Sequence, residues 1–393
     1  MKRNLALVLA AAFTAAACSE ISEPTNPAAA PEASYSAASD HADVIPGRFI
    51  ITVRDDVDPS AVAAEHGTRP DFVYNTVLNG FAGAVSEAAR SGLMRDARVL
   101  RIEPDGIART STTQFSATWG IDRVDQRTLP LSGSFTYAAT GSGVTAYIID
   151  TGINYGHNEF GGRASFGYDS FGGSGADCNG HGTHVAGTVG GTTYGVAKNV
   201  TLKAVRVLDC NGSGSWSGVI AGMDWVAANH AAGTPAVANM SLGGGASSSV
   251  DAAVNRMIAD GVATAVAAGN GNWIGIAQDA CRYSPARVSG AMTIGATSSN
   301  DSKASWSNYG ACVDWFAPGV SIKSAWTGSS TATSTISGTS MATPHVAGVA
   351  ALYLQGNPAA SPSTVRTALY NLTTKDKVTN SRSSNDHLLY SNF

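Results

Sequence analysis

Gly338-Thr-Ser-Met-Ala-Thr-Pro-His345 sets a serine, Ser340, among small residues and directly before the apolar run Val346-Ala-Gly-Val-Ala-Ala-Leu-Tyr-Leu354. Small neighbours let a substrate backbone approach the hydroxyl. The apolar run reads as a buried helix beginning just after the serine. A nucleophile at a helix N-terminus has the positive end of the dipole beside any oxyanion that develops. A serine in that position still needs a base and an acid, which the rest of the chain must supply.

Both stand in glycine-flanked segments. Tyr147-Ile-Ile-Asp150-Thr-Gly-Ile153 is an apolar run that ends in a carboxylate and a turn. Such a pattern suits an acid at the C-terminal end of a buried parallel strand. Asn179-Gly-His181-Gly-Thr-His-Val-Ala-Gly opens with a histidine and continues as a small-residue helix. Ala267-Ala-Gly-Asn270-Gly-Asn272 follows the apolar strand Gly261–Val266. A carboxamide there suits donation to an oxyanion.

The segments D-T-G, H-G-T-H-V-A-G, A-A-G-N and G-T-S-M-A-T-P-H, in the order Asp, His, Asn, Ser, resemble the subtilisin-like serine proteases. The likeness is to the proteinase K branch and, within it, to the aqualysin-like bacterial enzymes; it covers most of the chain after residue ~112. It implies Ser340 as nucleophile, His181 as general base and then acid, and Asp150 as the group that orients the imidazole. It also implies an oxyanion hole made by Asn270 and the Ser340 N–H. His184, one turn on from His181, reads as structural, and His345 as helix packing. A metal pair of His181 and His184 lacks a third ligand at useful spacing. The rival functions are thus a metallohydrolase built on that pair, or a non-catalytic binding protein on the same fold.

Only 14% of residues are charged and 44 are glycine, which suggests a compact catalytic core rich in small residues. The net charge of −4 and the lack of a basic run argue against a nucleic-acid partner. Lys2-Arg3 before the apolar stretch Leu5–Ala17 reads as an export signal over residues 1–18. Its end, Ala15-Ala-Ala-Cys18, fits either a signal-peptidase site or a lipobox with Cys18 lipidated, so the protein is expected to be secreted or held at the cell envelope. A monomer is expected.

Residues 19–43 read as a linker rich in Ala, Ser, Pro and Glu. Residues 44–108 read as β-α-β-β-α-β, a ferredoxin-like unit: strands Arg48–Val53, Phe72–Asn75, Phe81–Val85 and Val99–Glu103, a helix Pro59–His66 capped by Asp58, and a helix from Ser86. This unit resembles the inhibitor propeptide of the family. From 112 to 393, strands and helices alternate, which argues a parallel sheet with helices on both faces. Strands are expected at Val144–Asp150, Leu202–Leu208, Ala236–Ser241 and Val262–Ala267.

Two glycine-rich segments suit substrate walls: Gly212, Ser213 and Gly214 within Asn211–Trp216, and Ser241, Leu242, Gly243 and Gly244 after a buried strand. In the resembling enzymes such segments hold an extended peptide through its backbone, which implies broad endopeptidase activity on proteins and peptides. The primary pocket, between Leu242–Gly244 and Ala267, Ala268 and Gly269, has no charge in these walls. It therefore favours an aromatic or aliphatic residue before the cut bond. The resemblance also implies a structural calcium ion on Asp314 and the carbonyls of Ser289 and Ala291. A second candidate is Asp122, Asp125 and Gln126 with Ser132 and Ser134, oxygen donors that suit a hard cation or that merely cap a turn. Four cysteines besides Cys18 allow three pairings; the resemblance implies Cys178–Cys210 and Cys281–Cys312.

Overall fold

The structure, a computed structural model, describes residues 34–35, 44–106 and 110–393. The signal segment with Cys18 and most of the expected linker lie outside them. The chain divides into two compact units, Met1–Ala108 and Arg109–Phe393.

In the first unit one sheet has the strand order Ser34–Tyr35, Val99–Gly106, Val44–Val53, Asn79–Ala84, Phe72–Asn75. Within the stretch expected as linker, a short strand, Ser34–Tyr35, runs parallel to Arg101–Ile102. Helices Pro59–Glu65 and Glu87–Leu93 start where short polar residues take up free N–H groups. Asp58 Oδ1 accepts from Ser60 N–H at 2.9 Å, and Ser86 Oγ from Ala89 N–H at 3.2 Å. Ile51, Val53, Val62, Phe81, Leu93, Val99 and Ile102 form its core.

The second unit is built on seven parallel strands, labelled in chain order β1 (Thr145–Asp150), β2 (Ala164–Asp169), β3 (Thr201–Arg206), β4 (Ala236–Met240), β5 (Ala263–Ala267), β6 (Met292–Thr297) and β7 (Trp315–Pro318). Their spatial order is β7-β6-β5-β4-β1-β3-β2. The chain builds outward from β1 to one side and then to the other, so a crevice opens at the C-terminal end of β1. Alternate residues of β1 serve two cores. Ala146 and Ile148 pack with helices α1 (His181–Gly190) and α4 (Thr339–Gly356). Tyr147 and Ile149 pack with α2 (Trp216–Asn229) and α3 (Ser248–Ala259). A last helix, α5, spans Pro362–Leu372. Among the described residues no helix is long and apolar enough to cross a membrane.

Helix α4 begins one residue before Ser340, not after it. Its interior Pro344 has no N–H, so the Ser340 carbonyl four residues back lacks a helical donor. That carbonyl accepts instead from Ser241 Oγ–H at 2.7 Å, and Asn239 Nδ2 donates to the same Ser241 oxygen at 2.9 Å. The first turn of α4 is thereby fastened to the end of β4.

Candidate active site

Asp150 ends β1 with no solvent exposure. Its Oδ1 accepts from Thr151 N–H at 2.8 Å and lies 2.7 Å from His181 Nδ1. His181 is the first residue of α1, and a quarter of its side chain is exposed. Gly180 before it has φ +111°, and a Cβ there would stand 2.3 Å from the Trp326 ring, so only glycine fits. Burial disfavours the charged imidazole. The charge and hydrogen bond of Asp150, with the charge of Asp177, outweigh it and raise the His181 pKa above the ordinary 6.5.

Asp177 is a residue that the sequence reading missed. Its buried Oδ1 accepts from Thr151 Oγ–H, Asn179 N–H and Gly180 N–H, each at 2.9 Å. Its Oδ2 accepts from Thr183 N–H at 2.9 Å and Thr183 Oγ–H at 2.6 Å. Thr151 Oγ in turn accepts from Gly182 N–H at 2.9 Å. One carboxylate thus ties the residue after Asp150 to the turn that carries His181. The available signal was an acid just ahead of a helix start, in Asp177-Cys-Asn-Gly-His181.

Ser340 lies in the first turn of α4, where backbone N–H groups have no acceptor within the helix. Its Oγ–H donates to the Ser241 carbonyl at 3.1 Å. Asn270 Oδ1 accepts from both Thr339 N–H and Thr339 Oγ–H at 2.8 Å. That fixes which end of the carboxamide faces the helix and leaves its NH2 group beside Gly338. Two neighbouring histidines, His184 and His345, are held away from this site. His184 Nε2 meets the Ile322 carbonyl at 3.0 Å and His345 Nδ1 the Met341 carbonyl at 2.9 Å. Burial pushes each down to about 4. His181 and His184 therefore face different partners, and among the described residues no group of three His, Cys, Asp or Glu could hold a metal ion.

Two cavities share the wall Leu242–Gly244. One, about 530 Å³, runs between that wall and Asn211–Gly214, with His181, Asn179 and Trp216 in its lining. The other, about 300 Å³, is bounded by Ala267–Gly271, Tyr283, Ala286, Asn308 and Ser340. No ionisable acid or base lines the second, Tyr283 apart. Both walls are braced. Cys178 is bonded to Cys210 and Cys281 to Cys312, and Asn179 Nδ2 donates to the Cys210 carbonyl at 3.0 Å.

The expected cation sites fare differently. Asp314 Oδ1 is ion-paired with Arg366 of α5, and Oδ2 accepts from Thr293 N–H at 2.8 Å. The cavity of about 120 Å³ beside Ser289 is lined by Arg287 as well as Arg366. A guanidinium already supplies the positive charge that calcium on Asp314, Ser289 and Ala291 would bring, so these donors do not fit the ion. At the second site, Asp122 accepts from Ser132 N–H, Ser132 Oγ–H and Gly133 N–H. The Gln126 side chain braces the same turn, accepting from Ser132 N–H. Asp125 Oδ2 accepts from Thr136 N–H at 2.7 Å, whereas its buried Oδ1 has no partner. Burial, with the nearby Asp122 charge, pushes Asp125 up to about 6. A buried carboxylate oxygen with no donor, next to a second carboxylate, fits a hard cation.

Comparison with known proteins agrees with this architecture. Residues 141–387 match the subtilase family, and the chain belongs to it. The chain is 52% identical, over the whole length of both proteins, to an extracellular serine proteinase of Thermus sp. (strain Rt41A). It is 53% identical to alkaline serine exoprotease A of Vibrio alginolyticus, across 82% of this chain and 60% of that one. The crystal structure of a cold adapted subtilisin-like serine proteinase superposes with a TM-score of 0.67 at 55% identity, covering 70% of this chain and 98% of the other. The protein is a serine endopeptidase of subtilisin-like fold.

Proposed function

We propose that this protein is an exported endopeptidase of broad specificity that cuts through an acyl-enzyme, with Asp150, His181 and Ser340 as its triad. The observation that carries the reading is the 2.7 Å pairing of buried Asp150 with His181 at the wall it shares with Ser340. An extended peptide laid along Leu242–Gly244 brings backbone N–H groups that compete for the Ser241 carbonyl and free the Ser340 hydroxyl. Ser340 Oγ then attacks the scissile carbonyl carbon while His181 Nε2 takes its proton. The oxyanion is held by the Asn270 NH2 group and the Ser340 N–H. His181 passes the proton to the departing amine, and water repeats the sequence on the ester. The uncharged second cavity supports an apolar or aromatic residue before the cut bond. Hydrolysis of peptide anilides that differ only in that residue tests this. A lysine or glutamate substrate cleaved as fast as a phenylalanine one would overturn it.

Because His181 must be neutral to act as base, activity falls as pH drops through its pKa. The ion pair with Asp150 raises that pKa. The acid limb of kcat/KM is therefore expected above pH 6.5, the ordinary histidine midpoint. A midpoint well below 6 in a buffered pH series would contradict the assignment.

Calcium, in this reading, is structural and is held by Asp122 and Asp125, Asp125 Oδ1 being the oxygen left for it. An ion present at a hundred times its Kd stabilises by about 2.7 kcal/mol, so chelation is expected to lower Tm by about 5–10 °C with little change in initial rate. Binding needs the Asp125 carboxylate. Affinity should hold at neutral pH and fall below about 6, where that group takes up a proton. Calorimetry with and without chelator at pH 7.5 and 5.5 checks both points, and Asp125→Asn should abolish the response.

The relative's description as extracellular and the charged-then-apolar start of the chain support export. Residues 44–108 are read as an inhibitor and folding aid released by self-cleavage near Ser111–Thr112.

A further inference from the structure

We infer that the loop after Asn270 is a docking point for apolar segments of protein substrates, which selects unfolded or aggregated chains over compact ones. The inference rests on the peptidase reading of the adjoining cleft. Trp273 is 93% exposed, and Ile274 and Ile276 are 56% and 55% exposed. Three large apolar side chains within four residues form a patch that a free surface would ordinarily bury.

The loop is built to keep them out. Asn272 N–H donates to the Ile276 carbonyl at 2.9 Å, and Gly275 N–H to the Asn272 carbonyl at 2.8 Å. Asn272 Oδ1 accepts from Ile274 N–H at 3.2 Å and from Ile276 N–H at 3.0 Å. Gln278 Nε2 donates to the Ile276 carbonyl at 2.8 Å. These bonds fix the shape of the turn with its side chains outward. Its base is pinned by Asn308, which is buried. Asn308 Oδ1 accepts from Gly271 N–H at 3.0 Å and Gln278 N–H at 2.8 Å, and its Nδ2 donates to the Ala268 carbonyl at 2.9 Å.

What occupies the patch follows from where the loop starts. Asn270 and Gly271 line the cavity that contains Ser340. Trp273 is two residues further on, at most ~7.6 Å from Gly271 between Cα atoms. That is the reach of two or three residues of extended substrate, so a chain held at Ser340 that leaves the cavity on the Gly271 side comes within reach of the indole. From Ala267 to Gln278 the segment carries no charged residue, which suits an apolar polypeptide and offers an anionic lipid surface nothing to attract it.

The test compares wild type with Trp273→Ser and with Trp273→Ser/Ile274→Ser/Ile276→Ser, each checked for unchanged Tm. On a short soluble peptide anilide, kcat/KM should stay within about twofold. On reduced, alkylated casein, KM should rise about 5- to 10-fold for the triple variant with kcat unchanged. With each mature enzyme first inactivated by a serine-directed phosphonate, retention on beads carrying that casein should drop by the same factor, which reads docking without catalysis. Equal losses on anilide and casein, or no change on casein, would overturn the inference. So would loop-dependent sedimentation with phosphatidylcholine vesicles, or loop-dependent self-association, while casein kinetics stay unaltered. If wild type failed to cleave the anilide, the peptidase reading would fall instead, and the bead assay would still report on the loop.

Discussion

Ser340→Ala is expected to lower turnover of a peptide anilide at least ~10⁵-fold, because nucleophile, base and orienting acid act as a unit and the oxyanion donors alone supply only a small part of the rate. Ser340 Oγ makes one hydrogen bond, to the Ser241 carbonyl, so its loss should leave Tm nearly unchanged. The same variant separates two readings of the N-terminal unit. If maturation is self-cleavage, the Ser340→Ala precursor keeps residues 44–108 attached, whereas wild type yields a fragment that starts within a few residues of Thr112. Mass spectrometry of both proteins reads the outcome. Normal processing of the variant would assign the cut to another protease.

Asp150→Asn is expected to lower kcat about 10⁴-fold at neutral pH. The side chain is fully buried and its Oδ1 sits 2.7 Å from His181 Nδ1. An amide of the same shape presents an NH2 group to that nitrogen. It moves the imidazole proton to the nitrogen that must accept the serine proton, and it removes the charge that stabilises the imidazolium. Active-site titration with a serine-directed phosphonate and stopped-flow rates measure the effect. Less than a tenfold loss would mean that the carboxylate only packs against the histidine.

The residues proposed to react were legible because each sits where an apolar strand or helix meets glycines: Asp150 after Tyr147-Ile-Ile, Asn270 after Val262–Ala267, Ser340 before Val346–Leu354. The residues that hold them were not. Thr339 fixes Asn270 from 69 positions away and Asp177 fixes Thr151 from 26. Such short polar side chains act through single hydrogen bonds and leave no periodic trace. Strands β2, β6 and β7 went unread: β2 and β7 are edge strands, β7 has only four residues, and interior β6, Met-Thr-Ile-Gly-Ala-Thr, has polar and glycine residues where an apolar run would have marked it. Helix α5 did carry a start signal, Ser361 followed by Pro362, with Ser361 Oγ accepting from Thr364 N–H. The Asp314 cation site could not have been judged from the chain alone. What decides it is Arg366, brought across 52 residues by the docking of α5.

Pro344 has a consequence for how such an enzyme can change. By leaving the Ser340 carbonyl to Ser241 Oγ–H, it makes the main chain of the proposed nucleophile and the wall Leu242–Gly244 a single mechanical piece. Ser241 is also the residue whose carbonyl holds the resting Ser340 hydroxyl. A substitution that shifts Ser241–Gly244 to admit a new side chain must therefore move the Ser340 hydroxyl as well. Selectivity and reactivity are then inherited together along this wall, and new preferences are more freely acquired at the facing side of the cavity, around Tyr283 and Ala286.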